Sequence, residues 1–169
     1  MKELIYNQTQ IPREKWRYGL RSSAATGCGW IATHNALRLL GYETDIEALI
    51  RWYEWQLPLL HGNTGTSFWG PAIRMKLWGF PVETSADPRQ FDAVAERSDV
   101  CILFYHWRRG LKIGAHFVAL QKKEGRVTGY NTFRTSTGPD DYGESLQAFL
   151  KEKGWFGAFL IGIRDKRGT

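Results

Sequence analysis

The spacing of apolar residues divides the chain into a helical first half and a strand-like second half. Residues 28–40 carry apolar side chains at helical intervals and stop at Gly41, the usual residue just past a helix end. Residues 44–57 form a second helical segment. Ile46, Leu49, Ile50 and Tyr53 share one face, Thr44 and Glu47 have capping-box spacing, and Pro58 ends the run. A loop over 61–67 leads into a third helix that places Pro71 in its first turn and runs to Trp78 before Gly79. Asp87 and Pro88 have the form of a cap and first position for a short fourth helix reaching Arg97.

Beyond that point the runs are short, apolar and aromatic. Residues 100–107, 112–121, 126–131 and 155–163 are expected strands, with a helix at 143–152 after the loop holding Gly138, Pro139, Asp140 and Asp141. The first 27 residues have neither period and are expected to be an extended lead-in with short turns. Helices first and strands later predict the α+β class, with N-terminal helices packed against a C-terminal antiparallel sheet. There are no repeats or linkers, so residues 1–169 are expected to form one domain.

Composition changes this picture in two places. Aromatic residues make up 14% of the chain, eight of them Trp, so rings must fill the core, line a cleft, or do both. The formal net charge is +6, but the basic residues fall in small groups such as Arg108–Arg109 and Lys122–Lys123, and no nucleic-acid-binding motif accompanies them. They are expected to be a solvated surface. No apolar run has the length of a membrane span or a secretion signal, so a cytoplasmic location without membrane contact is expected. Oligomeric state cannot be read from the residues.

The candidate chemistry starts at Cys28, between Gly27 and Gly29 at an expected helix start. Unpaired N–H groups and the positive end of the helix dipole favour a thiolate there, and the same groups can hold an oxyanion. Small neighbours would let a substrate carbonyl approach. Cys101, inside an apolar strand, reads as a core residue instead, and two cysteines make no disulfide framework.

A cysteine nucleophile needs a base. Of the four histidines, His34 lies six residues along the helix and points elsewhere, His61 is in a loop, and His106 is near a strand end. His116 interrupts a strand of small and apolar residues, where a polar side chain needs a partner. A two-residue turn at Glu124-Gly125 would face Lys123 with Arg126 and, by extrapolation, His116 with Phe133. Asn131 would then be the diagonal neighbour of His116 on the same face, at about 7–8 Å between Cα atoms, and a turn centred one position earlier would put it directly opposite, at about 4.5–5.5 Å; either register allows side-chain contact. An asparagine there can fix the tautomer and orientation of the imidazole, the third role in a Cys-His-Asn set. No zinc-ligand spacing, P-loop or dinucleotide fingerprint is present, so no metal or cofactor is expected.

With these residues in place, most of the chain resembles papain-like cysteine peptidases related to the bacteriocin-leader (double-glycine) peptidases of bacteria. The likeness runs in order through Tyr6-Asn7-Gln8, Trp16, Tyr18-Gly19, Gly27-Cys28-Gly29, Leu39-Leu40-Gly41, Gly65-Thr66-Ser67, Leu77-Trp78-Gly79-Phe80, the run from Ala115 to Leu120, and Tyr130-Asn131. The resemblance implies a papain-like fold, Cys28, His116 and Asn131 as a triad, and Gln8 as the oxyanion-hole side chain. Trp30 stands where close relatives carry a proline, and Asn131 where many carry Asp. Gln8 lies twenty residues before Cys28, whereas shorter-spaced relatives have it nearer, at the place Ser22 holds here.

The expected activity is therefore a thiol hydrolase cleaving a peptide or isopeptide bond through an acyl-enzyme, with a peptide or protein as substrate. Acyl transfer by the same triad, and a peptide-binding domain that keeps the fold without catalysis, are the alternatives.

Overall fold

The computed structural model describes residues 4–55 and 65–168. The segment before Cys28 is more structured than its lack of period predicts. A turn of 3-10 helix at Gln8–Gln10 is capped by Asn7, whose side chain accepts from the Thr9 N–H. A two-rung hairpin follows, β1 (Arg17–Tyr18) with β2 (Arg21–Ser22), and then one helical turn, α1 (Ser23–Thr26). These elements are too short for a hydrophobic period to register.

Helix α2 (Cys28–Leu39) begins at the candidate nucleophile and ends with Gly41 at φ 85°, the left-handed position a glycine tolerates. Helix α3 (Ile46–Trp55) buries Leu49, Ile50 and Tyr53 as its apolar stripe requires. Its cap differs from the expected box. Asp45 Oδ1 accepts from the Ala48 N–H at 3.0 Å, while Thr44 Oγ1 bonds His34 Nδ1. Asp45 is one residue closer to the helix, and its carboxylate suits the dipole better than a hydroxyl. The expected end of this helix, and His61, lie outside the described residues.

Helix α4 (Gly70–Leu77) has Pro71 in its first turn. A 3-10 turn at Pro88–Gln90 capped by Asp87 runs into α5 (Phe91–Glu96). The remaining elements are β3 (Val82–Ser85), β4 (Val100–Arg109), β5 (Lys112–Lys123), β6 (Arg126–Tyr130), β7 (Asp140–Gly143), α6 (Leu146–Lys153) and β8 (Phe156–Ile163). Besides β1 and β2, two further strands go beyond the expectation. β3 and β7 are four-residue edge strands, one with exposed polar side chains and the other within the Gly-Pro-Asp-Asp stretch that reads as a loop. Because β7 takes residues 140–143, the last helix starts later than expected, at Leu146 with Ser145 as its cap.

The six long-range strands form one antiparallel sheet in the order β3-β8-β4-β5-β6-β7. The α+β expectation with an antiparallel sheet therefore holds. Strand alternation sorts its residues onto two faces. Val100, Ile102, Phe117, Ala119, Phe159 and Ile161 meet Ala32, Ala36, Ala72 and Met75 of α2 and α4. Cys101, Leu103, Tyr105, Val118, Leu120 and Leu160 meet Phe91, Val94, Leu146 and Phe149 of α5 and α6. So the N-terminal helices cover one face and the later helices the other. A third cluster, with Tyr18, Trp30, Ile31, Leu49 and Tyr53, fastens the N-terminal segment and α3 to α2. Among the described residues no helix is long and apolar enough to cross a membrane.

Candidate active site

The site forms where one strand stops short of its neighbour. The turn at Glu124-Gly125 has φ of 50° and 76°, the two positive values of a type I′ hairpin, and Lys123 faces Arg126 as expected. In such a hairpin the residues flanking the turn exchange hydrogen bonds, and alternate residues along each strand do the same. Positions 123, 121, 119 and 117 of β5 therefore aim their N–H and C=O toward β6. The ladder ends at Ala119–Tyr130, because Asn131 has φ 67° and turns the chain away. Asparagine is among the few residues that enter this region readily. Phe117 is thus left with an N–H pointing at an open edge.

The Cys28 sulfur fills that edge. Backbone N–H groups of Phe117, Gly29 and Cys28 itself are aimed at it. The sulfur thus lies against the peptide bond that joins His116 to Phe117. Helix α2 packs on the Phe117 face of the sheet, while alternation puts His116 on the Tyr105 face, where the two rings meet edge-on at 5.9 Å. Thiol and imidazole therefore come from different faces of the sheet.

The imidazole is held by the main chain. His116 Nε2 lies 2.7 Å from the Asn131 carbonyl oxygen. A carbonyl only accepts, so Nε2 carries the hydrogen and Nδ1 has the free lone pair in the neutral ring. The sequence assigns this orienting role to the Asn131 side chain. In the structure that side chain, buried in the protein, grips the N-terminal segment instead. Its Oδ1 accepts from the Gln8 N–H at 2.8 Å, and its Nδ2 donates to Gln8 Oε1 at 3.0 Å. Gln8 Nε2 in turn donates to the Ala24 carbonyl, one turn before Cys28, at 3.1 Å. An amide nitrogen has two hydrogens, so one remains for another acceptor. Asn131 thus belongs to the site through its carbonyl and its backbone angle, and Gln8 through a link to α1.

Electrostatics oppose the expectation of a depressed thiol pKa. Burial pushes the Cys28 thiol up to about 11, and the three N–H groups offset this only in part. Burial also lowers the His116 pKa below its ordinary range, against the raising effect of the Asn131 carbonyl, and Arg134 lowers it further. Each direction favours the uncharged form of its group, the thiol for Cys28 and the neutral imidazole for His116. The helix start does supply aligned N–H groups, but desolvation outweighs them. Cys101 is buried and its thiol is pushed up to about 12 by the same cause, as a core cysteine should be.

The glycines beside Cys28 are points of close packing. A Cβ on Gly29 would sit 2.3 Å from Thr66 Oγ1, and one on Gly27 would sit 2.6 Å from Trp30 Nε1. Thr66 also meets the Tyr18 hydroxyl at 3.1 Å, so the loop after residue 64 is latched onto the start of α2. Trp30 is fully buried, with Nε1 donating to Ser23 Oγ, and lines no cleft. The solvent-facing rings lie elsewhere. Phe68 and Trp69 stand against Phe159, and Phe68 against Phe104, which touches Phe117. No spacing rule links Phe68 to Cys28, because the connection runs across three strands.

The other described histidines stay out of the site. His34 is buried on Thr44, and His106 stacks on Phe156. Among the described residues no group of three or more His, Cys, Asp or Glu side chains is placed to hold a metal ion. No known protein family matches the chain, and no curated protein is similar to it.

Proposed function

We propose that this protein is a papain-like cysteine hydrolase that cleaves a peptide or isopeptide bond through an acyl-enzyme on Cys28. The observation that carries the reading is the joint geometry of the Cys28 sulfur at the His116–Phe117 peptide and the His116 Nε2–Asn131 carbonyl bond. That bond reserves Nδ1 for the thiol proton. Because the resting pair is neutral, the base acts as attack begins: the proton moves from sulfur to Nδ1 while sulfur bonds to the carbonyl carbon. The resulting oxyanion is met by the N–H groups at the start of α2, with the second hydrogen of Gln8 Nε2 as the candidate side-chain donor. The imidazolium returns its proton to the leaving amine as the C–N bond breaks. Water, deprotonated by Nδ1, then attacks the thioester and restores the thiol.

An activated acetyl ester tests this without knowledge of the natural substrate. With p-nitrophenyl acetate, an acetyl group should accumulate on Cys28 and be found there by peptide mapping. His116→Ala should slow its formation by roughly 10²–10⁴-fold, the usual contribution of a positioned base. Turnover that speeds up with added amine would make the protein an acyltransferase, and absence of any adduct would leave a peptide-binding domain.

A further inference from the structure

An open cleft of about 760 Å³ lies beside β1 and β2, lined by Arg13, Glu14, Arg17, Arg21, Ser22 and Ala25. Its position follows from the chain. Ala25 is three residues before Cys28, and Gly27 between them keeps near-helical angles, φ −81° and ψ 3°. Residues three apart along such a path are close, so the cleft, whose lining stops at Ala25, ends within about one turn of Cys28.

Its charge is the second observation. Elsewhere on the described surface, Arg51, Arg89, Arg97, Lys122, Arg126 and Arg167 each hold a carboxylate. The three cleft arginines do not, nor do the exposed Arg108, Arg109, Arg134 and Arg164 among the described residues; the cleft differs in bringing three such groups to one concave surface. Arg17 donates to the Leu20 carbonyl at 3.2 Å, and neither Arg13 nor Arg21 has an ion pair among the described residues. Glu14 is the cleft's one carboxylate, and Glu54 nearby is engaged by the Gly19 N–H. Three positive groups against one negative leave an excess of positive charge, all of it exposed. Unneutralised guanidinium groups that share a concave surface attract and orient carboxylates.

We propose that this cleft binds an acidic segment of the peptide substrate, with Asp or Glu side chains a few residues from the bond that Cys28 attacks. The spacing follows from an extended chain advancing about 3.3–3.6 Å per residue past a cleft that ends about one turn before Cys28. The proposal rests on Cys28 being the nucleophile. It adds a substrate class to that reading.

Peptide vinyl sulfones that label a reactive cysteine provide the test, in three versions carrying Asp/Glu, Asn/Gln or Lys near the warhead. The labelling rate of Cys28, read by intact mass, should be about tenfold or more higher for the acidic probe at low salt and should converge with the others at high salt. In Arg13→Glu/Arg17→Glu/Arg21→Glu the order should reverse in favour of the Lys probe. Arg13→Gln/Arg21→Gln, which adds no like-charge repulsion, should remove the preference without reversing it. Equal rates for the three probes would overturn the proposal while leaving the nucleophile intact. If no probe labels Cys28, the catalytic reading fails, and anisotropy with the acidic peptide lacking its warhead decides separately. Binding lost on charge reversal supports the cleft, and no binding refutes it.

Discussion

At the residue scale, Asn131 separates two roles that a side-chain substitution would normally confuse. Its carbonyl orients His116, its side chain ties down Gln8, and its φ of 67° ends the β6 ladder. Asn131→Gly keeps the carbonyl and the angle, so acylation of Cys28 should fall only modestly. Asn131→Ala must bear the left-handed angle as well, at about 1–2 kcal/mol, and should lower both thermal stability and rate more than the glycine variant. Equal damage from both would mean that the Gln8 contact, not the carbonyl position, matters. The His116 titration has a definite sign too. Its folded pKa is depressed, so the unfolded chain takes up the proton first as pH falls below about 6.5. The stability contributed by neutral His116 is present above that pH and is lost as pH drops toward the folded pKa. Urea midpoints across pH 7 to 5 should therefore fall less steeply in His116→Gln than in the parent protein.

At the scale of elements, the helix start and the strand edge must be held together, and Gly29 is the contact that allows it. Gly29→Ala drives a methyl into Thr66 and should cost on the order of 1–3 kcal/mol of stability, with Thr66→Gly in the same chain restoring much of it. A variant that loses rate without stability would show instead that the glycine serves substrate access. The sequence makes α2, α3, α4 and the long strands legible, because each presents a full hydrophobic period to the core. It also makes the Glu124-Gly125 turn legible, and with it the nearness of His116 and Asn131. It does not reveal β3 or β7, whose four residues lie at the sheet edges. Nor does it reveal that the orienting atom is a carbonyl, since every residue has one and only the break in the ladder singles out Asn131. The raised thiol pKa escapes for a related reason: the flanking glycines advertise a helix start, but burial depends on the core around Phe117, which comes from a distant part of the chain.

At the scale of the whole molecule, residues 165–167 close the structure back onto the helix that begins at Cys28. Arg167 donates to the Leu40 carbonyl at the end of α2 and stacks over the Tyr42 ring at 4.3 Å. Asp165 accepts from the Tyr42 hydroxyl at 2.7 Å and, with Arg167 beside it, its carboxyl is held well below the usual range. Arg167→Lys should lower the thermal midpoint nearly as far as Arg167→Ala, because a point ammonium cannot reproduce the fork to Asp165, the carbonyl contact and the ring stacking together. Full retention of the midpoint by the lysine variant would reduce the clip to simple charge pairing.

The central claim is that Cys28 and His116 rest as a neutral pair in which Nδ1 serves as the base. It is tested most directly by the pH dependence of Cys28 alkylation with iodoacetamide, followed by intact mass in the Cys101→Ala background. The neutral pair predicts a rate that keeps rising through neutral pH toward a midpoint near 11, with His116→Ala slowing acyl transfer from p-nitrophenyl acetate far more than alkylation. A flat, fast plateau from mildly acidic to neutral pH, lost in His116→Ala, would reveal a preformed thiolate–imidazolium pair and contradict it.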